Sequence, residues 1–311
     1  MSAIPRSLRI ATRESRLALR QTAMVEAVLR ERHAGLEVQT VGMTTRGDQV
    51  VDRPLAQVGG KGLFVKELEI ALDEGRADIA VHSLKDVPMQ VPEAFALTTF
   101  GAREDPRDAL VSNRYASLAA LPVGAVVGTS SMRRECQLRA LHPRLALRAL
   151  RGNVNTRLAK LDAGDYDAII LAVAGLKRLG LDARVRAALD ETIPAIGQGI
   201  LAIEYRRERS DIARLLADFE LAETACAARA ERALGLVVEG SCEVPVGALA
   251  RVDAGSVMLE GFIGMPDGTR VVRARVSGRC DEAGRLGAEL GERLLAAGGR
   301  EILKSLARVS A

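Results

Sequence analysis

Residues 128–134 read Gly-Thr-Ser-Ser-Met-Arg-Arg and follow directly on the apolar run Ala125-Val126-Val127. A strand that delivers the chain into a helix start rich in hydroxyls and arginines suits an anion. The first-turn N–H groups of a helix lack partners, its dipole is positive there, and the hydroxyls of Thr129, Ser130 and Ser131 add donors. Arg133 and Arg134 bring planar guanidinium forks that can grip a carboxylate or phosphate through paired bonds. A second strand with the same ending follows at Leu145–Leu150, and then Arg151-Gly152-Asn153-Val154-Asn155-Thr156-Arg157, where Asn153 caps a helix expected over 154–162. Two such ends side by side would make one polyanion pocket.

A third stretch, His82-Ser83-Leu84-Lys85-Asp86-Val87-Pro88, leaves an apolar strand and sets hydroxyl, ammonium and carboxylate at its C-terminal end. Open α/β sheets bind ligands there, although the same residues would also make a solvated turn closed by Pro88. Ser83-x-Lys85 does not match the Ser-x-x-Lys nucleophile pattern, and His82 lacks the partners of a triad or a zinc site. Two glycine clusters fail as nucleotide sites. Gly59-Gly60-Lys61-Gly62 has no Ser or Thr after the lysine, and Gly197-x-Gly199-x-x-Ala202 precedes a strand rather than a helix. Both read as hinges or loops, and the polar stretch from Thr44 to Gly62 suits a lid. Cys242, within Glu239-Gly-Ser-Cys-Glu-Val-Pro245, sits in a turn whose glycine, serine and glutamates favour an exposed, reactive thiol. Cys136, Cys226 and Cys280 lie in or beside periodic segments and read as packing residues.

Strand and helix signals alternate ahead of these residues and between them. Strands are expected at Leu8–Ala11, Leu36–Met43, Asp78–His82, Ala94–Phe100, Ala109–Ser112, Ala125–Gly128, Leu145–Leu150, Ala168–Val173 and Ile200–Tyr205, with helices at about 15–32 and 63–74. Parallel sheets covered by helices satisfy that order. Punctuation at Gly101–Pro106 and Ile193–Gly199 marks two crossings between lobes, so the first α/β lobe is discontinuous (1–101 with 198–219) and the second is 102–197. After a helical stretch at 210–235, β-rich segments at 244–252, 256–263 and 269–276 and a helix at 283–297 make a small α+β domain, 220–311.

The 311 residues are enough for several cores without staples, and four scattered cysteines indicate neither a disulfide framework nor a zinc site. No apolar signal segment follows the basic N-terminus, and the longest apolar run is too short to span a bilayer. A soluble cytoplasmic protein with no membrane partner is the expectation. Of the 44 basic residues only six are Lys, the net charge is +4, and aromatics make up 3 % with no Trp. With little to stack on bases, a nucleic-acid partner is not expected. Two function classes remain: an enzyme acting on a polyanion, or a non-catalytic two-lobed receptor for a small carboxylate.

Six motifs in order decide between them: Arg9-Ile-Ala-Thr-Arg13-Glu-Ser15, Gly60-Lys-Gly-Leu-Phe64, His82-Ser-Leu-Lys-Asp86-Val-Pro88, Gly128–Arg134, Arg151-Gly-Asn-Val154 and Gly240-Ser-Cys242. Together they resemble the porphobilinogen deaminase (hydroxymethylbilane synthase) family over nearly the whole length. The family is similar in fold to periplasmic binding proteins, which implies two such lobes plus a small α+β domain carrying the cysteine. The resemblance implies a transferase of haem biosynthesis that joins four porphobilinogen molecules head to tail, with loss of ammonia, onto a dipyrromethane cofactor. Hydrolysis would then release hydroxymethylbilane. It implies that Cys242 holds the cofactor through a thioether and that Ser83, Lys85, Asp86, Thr129, Ser131, Arg133 and Arg134 bind it. Arg13, Ser15, Arg151, Arg157, Arg178 and Gln198 would face substrate, and Lys61 and Phe64 would belong to the lid. Asp86 is the expected catalytic carboxylate, stabilising the cationic azafulvene left when ammonia departs. Neither a metal nor an obligate partner subunit is implied, so a monomer is expected. In this chain Ser241 stands where the family usually has glycine before the cysteine.

Overall fold

A computed structural model describes residues 5–45, 47, 62–238 and 244–310. The chain opens with β1 (Ser7–Arg13), which buries Leu8, Ile10 and Ala11, while Ser7, Arg9 and Arg13 alternate along its more exposed face. Ser15 then stops the strand and caps α1 (Arg16–Arg32) by accepting a bond from the Ala18 amide. Ala18, Gln21, Thr22, Val25 and Leu29 fall three or four apart and form the buried stripe of α1. Next come β2 (Glu37–Met43), α2 (Lys66–Asp73), β3 (Ile79–Ser83), one 3-10 turn at Leu84–Asp86 and β4 (Phe95–Phe100).

The chain then crosses to a second sheet. It contributes β5 (Asp108–Val111), β6 (Val126–Gly128), α3 (Met132–Leu141), β7 (Ala146–Arg148), α4 (Val154–Asp162), β8 (Ala168–Ala172), α5 (Val173–Arg178) and β9 (Ala187–Leu189). It returns as β10 (Leu201–Arg206), followed by α6 (Ser210–Ala217) and α7 (Ala222–Val237). A three-stranded antiparallel sheet, β11 (Val246–Asp253), β12 (Ser256–Gly264) and β13 (Val271–Arg279), is packed by α7 and α8 (Ala283–Leu294), and α9 (Arg300–Ser310) closes the chain.

The first sheet has the order β2-β1-β3-β10-β4 and the second β7-β6-β8-β5-β9. Neither is purely parallel, contrary to the expectation from the alternating pattern. β10 runs antiparallel to β3 and β4, and β5 antiparallel to β8 and β9. Both exceptions begin at a crossing between the lobes, which delivers the strand at the end of the sheet where the parallel strands finish. Three further departures are local. The helical stretch 210–235 is two helices, broken between Ala217 and Ala222. The helix expected to reach Ala297 ends at Leu294, and the chain turns through Gly298, at φ +115°, into α9. The segment after β8 coils as α5 at Val173 instead of extending the strand.

Each sheet buries its own aliphatic core. Leu8, Ile10, Val25, Leu29, Ile79, Val81 and Ile203 cluster in the first, and Val111, Leu150, Leu158, Ile169, Leu171 and Leu176 in the second. Burial of each such side chain contributes about 1.5–3 kcal/mol, so the strand ends that carry the polar motifs rest on rigid platforms. No helix among the described residues is long and apolar enough to cross a membrane.

Candidate functional site

The polar motifs gather at the C-terminal ends of β1, β3, β6 and β8, where Arg13, Ser83, Gly128 and α5 stand. β6 and β7 pair in parallel, with Gly128 opposite Arg148, so the two expected anion-binding ends do lie side by side. Gly128 has to be glycine because a Cβ there would come within 2.8 Å of the Tyr166 ring. Ser130 stitches the two ends together, donating to the Leu150 carbonyl and accepting from the Leu150 amide, both at 2.9 Å. Its hydroxyl is therefore committed to the scaffold. Thr129, buried, accepts at Oγ1 from the Ser131 amide at 3.2 Å, and Ser131 occupies the N-cap of α3. Asn153 caps α4 through the Thr156 amide, as the spacing predicts.

Arg133 and Arg134 are both buried, and both forks close on one carboxylate that the sequence reading did not single out, Asp108. Arg133 donates from Nη1 to Asp108 Oδ2 at 2.8 Å, from Nη2 to Oδ1 at 3.1 Å, and again from Nη1 to the Ile193 carbonyl at 2.7 Å. Arg134 donates to Asp108 Oδ1 from Nε at 3.0 Å and Nη2 at 2.8 Å, and from Nη1 to the Ile170 carbonyl at 3.0 Å. A guanidinium has five N–H bonds, so three of five are spent on each side chain and two remain. Burial alone would raise the Asp108 carboxyl. The two guanidinium charges overcome it and hold the acid well below the usual carboxylate range.

Gln198 is fully buried and joins the same cluster. Its amide nitrogen donates to Asp108 Oδ1 at 3.0 Å and to the Pro106 carbonyl at 2.7 Å, while its oxygen accepts from Lys85 Nζ at 3.4 Å. Burial draws the Lys85 ammonium down to about 8; Asp86 and Asp108 oppose this, while Arg134 and Arg133 add to it. Beside Lys85, Asp86 is about one-third exposed and lies 4.0 Å from Arg13 Nη1. The Arg13 guanidinium stacks 4.2 Å over the Phe64 ring, which places Phe64 at the site. Ser83 accepts at Oγ from Gln21 Nε2 at 2.7 Å, and Ser15 is occupied in capping α1.

Arg157 donates from Nε to the Gly152 carbonyl at 2.7 Å, and burial together with the charges of Arg134 and Arg151 draws it down to about 10. Arg151 is lowered by burial as well. Arg178 stands apart at the crossing, donating from Nη2 to the Gly199 carbonyl at 2.7 Å, with burial drawing it to about 10. Two glycines keep that crossing tight. Gly197 and Gly199 have φ of +73° and +89°, and a Cβ on Gly199 would sit 2.2 Å from the Glu104 carbonyl oxygen. Cys242 and Lys61 lie outside the described residues, as do most positions of the expected lid.

The structure thus brings Lys85 and Asp86 of one lobe together with Arg133, Arg134, Arg151 and Arg157 of the other. Lys85, Arg133, Arg151 and Arg157, each lowered by burial, stand with Arg134 around the carboxylates Asp86 and Asp108, and together they make a donor set that fits a ligand carrying several carboxylates. Asp108 and Gln21 are the residues missed from sequence. Gln21 had a visible signal, an amide inside the apolar stripe of α1. His82, by contrast, turns away from this set to a buried pairing with Glu204 at 3.1 Å.

Comparison with known proteins gives two successive family matches along the chain. Residues 8–214 match the family model described as "Porphobilinogen deaminase, dipyromethane cofactor binding domain", and residues 225–296 match "Porphobilinogen deaminase, C-terminal domain". Among solved structures, the methionine-binding protein MetQ is similar with a TM-score of 0.45 and 15 % identity, over 73 % of this chain and 95 % of that one. The periplasmic VFT2 domain of Bordetella pertussis BvgS gives 0.41 and 17 %, over 68 % and 85 %. The alkanesulfonate-binding protein SsuA from Xanthomonas axonopodis pv. citri gives 0.39 and 18 %, over 76 % and 75 %. With a dipyrromethane-binding region over 8–214 and the C-terminal module behind it, the chain belongs to the porphobilinogen deaminase family of tetrapyrrole biosynthesis.

Proposed function

We propose that this chain is a hydroxymethylbilane synthase, a cytoplasmic monomer that condenses four porphobilinogen molecules head to tail with loss of ammonia and releases the linear tetrapyrrole by hydrolysis. Dipyrromethane, held in this reading as a thioether at Cys242, supplies the pyrrole carbon at which the first new bond is made. The observation that carries the reading is the surplus of buried and half-buried cations drawn from both lobes around the partly exposed carboxylate of Asp86.

Each pyrrole ring brings an acetate and a propionate, so ring number and carboxylate number rise together. The N–H bonds that Arg133 and Arg134 do not spend on Asp108 would take the cofactor's carboxylates with Lys85, and Ser83, Thr129 and Ser131 would complete their hydrogen bonding. Arg151 and Arg157, across the cleft, with Arg13 and Ser15, would take those of the incoming porphobilinogen, and Arg178 and Gln198 would fix the crossing between them. Asp86 would accept the pyrrole N–H. As ammonia leaves the aminomethyl group, positive charge spreads onto that nitrogen, and a carboxylate already in place stabilises it without reorganisation. The same oxygen can accept a proton as the new ring regains aromaticity. Phe64 shields the Arg13 guanidinium from water on its ring face, and Lys61 would act from the lid.

Incubating the purified chain with porphobilinogen tests this. The expected result is release of four ammonia per hydroxymethylbilane and an intact-mass ladder rising in steps of one pyrrole unit. Reversible porphobilinogen binding with neither ammonia nor a ladder would overturn it in favour of a carboxylate receptor.

A further inference from the structure

The clamp draws its donors from three separate pieces of chain: the Lys85 ammonium after β3, the Arg133 and Arg134 guanidinium groups on α3, and the Gln198 amide on the return crossing. They converge on the first residue of β5, Arg133, Arg134 and Gln198 directly and Lys85 through Gln198. Oδ1 of Asp108 accepts from Arg133, Arg134 and Gln198, Oδ2 accepts from Arg133, and Gln198 passes the contact on to Lys85 Nζ at 3.4 Å. Asp108 is completely buried on a strand whose other residues, Ala109, Leu110 and Val111, are equally buried, so its backbone cannot yield. It also follows directly on Pro106-Arg107 at the outgoing crossing, and Gln198 ties the returning crossing to the Pro106 carbonyl at 2.7 Å.

From this geometry we propose that Asp108 is a positioning residue for the reaction: it sets the spacing between the lysine of the first lobe and the arginine pair of the second, and thereby the carboxylate pattern the cleft accepts. The proposal rests on the polycarboxylate reading of the cleft. Asp108 touches no reacting atom and works in two ways. It fixes the planes of two guanidinium groups, so that their remaining N–H bonds keep one direction. Its charge also supports the proton on Lys85, which faces Asp86 on its own turn and Arg134, Arg133 and Asp108 from the opposite lobe.

Two variants separate charge from geometry. Asp108→Asn keeps the shape and removes the charge. Asp108→Glu keeps the charge and displaces it by a methylene. Each is assayed for porphobilinogen KM and kcat from pH 6.5 to 9.5, for thermal midpoint, and by intact mass for the fraction of purified chain carrying a covalent adduct. In Asp108→Asn the alkaline rise of KM moves down by about one pH unit and the adduct-bearing fraction falls. In Asp108→Glu KM rises about tenfold, more than kcat falls, while the alkaline limb keeps its place. Asp108→Glu is read on its own should Asp108→Asn not fold. A lowered thermal midpoint with KM, its alkaline limb and the adduct fraction all at wild-type values would overturn the proposal and leave Asp108 a stabilising ion pair alone. Wild-type chain without porphobilinogen turnover would instead overturn the functional reading beneath it.

Discussion

Lys85 is a cation held where a cation is expensive, and the expense can be measured. Burial takes its ammonium from 10.5 down to about 8. At pH 7 the unfolded chain and the folded chain both carry the proton, but the folded chain carries it against a penalty of about 3 kcal/mol, at roughly 1.4 kcal/mol per pH unit. The sign follows from proton counts. Between pH 8 and 10.5 the unfolded chain binds more protons than the folded one, so this group makes stability rise with pH across that window. Lys85→Met removes the penalty and loses a weak contact to Gln198 at 3.4 Å, worth about 1 kcal/mol. In a Cys242→Ala background, intended to keep the cleft free of covalent carboxylates, urea denaturation of Lys85→Met at pH 7 is therefore expected to show a gain of about 2 kcal/mol. That gain shrinks as pH rises and vanishes at roughly pH 10. The same variant binds polycarboxylates more weakly at pH 7, since stability and function pull on this residue in opposite directions. A Lys85→Met chain less stable than its parent, by an amount constant from pH 7 to 9.5, would refute the view of Lys85 as a strained cation.

Asp86→Asn keeps the shape of the carboxylate proposed to be catalytic and loses its charge; kcat in a porphobilinogen assay is expected to fall by roughly a hundredfold or more, with the covalent adduct still present by mass, and wild-type kcat would remove Asp86 from its role. Gly199→Ala forces φ +89° on a residue whose Cβ would lie 2.2 Å from the Glu104 carbonyl. Urea midpoints should place its cost at about 2 kcal/mol or more, against about 1 kcal/mol for Gly75→Ala, where φ is +67° and nothing lies within 4 Å. Equal costs would show that the crossing is not tightly packed. Cys136 is fully buried, and burial pushes its thiol up to about 12. Alkylation of native protein at pH 8 should therefore leave it unmodified until the chain is unfolded; rapid labelling would mean that the contact between α3 and the C-terminal sheet opens readily.

What the sequence made legible was what is decided locally. Asn153 announces α4 because a cap acts on the next three residues, and Ser15 does the same for α1. Gly128–Arg134 announces a strand end followed by a helix start, and that is what forms. The direction of a strand is not a local property. The β5 segment reads the same in either direction, and only the crossing that feeds it makes it antiparallel to β8. Asp108 stayed hidden for a related reason. Its partners Arg133 and Arg134 lie 25 and 26 residues on, and Gln198 lies 90 residues on. A single acid opening an apolar strand looks like a strand boundary until folding buries two guanidinium groups against it. The arginine pair was identifiable as an anion grip, but the fraction of its donors already used could be seen only in three dimensions.

The central claim is that this cleft grips the carboxylates of a pyrrole chain tethered at Cys242. Intact-mass measurement of purified wild-type protein and of Cys242→Ala addresses it most directly. The expected wild-type mass exceeds that of the 311-residue sequence by one dipyrromethane, localised by peptide mapping to the segment containing Cys242, and Cys242→Ala is expected at the bare sequence mass. Wild-type protein that turns over porphobilinogen at the bare sequence mass, or an adduct that persists in Cys242→Ala, would contradict it.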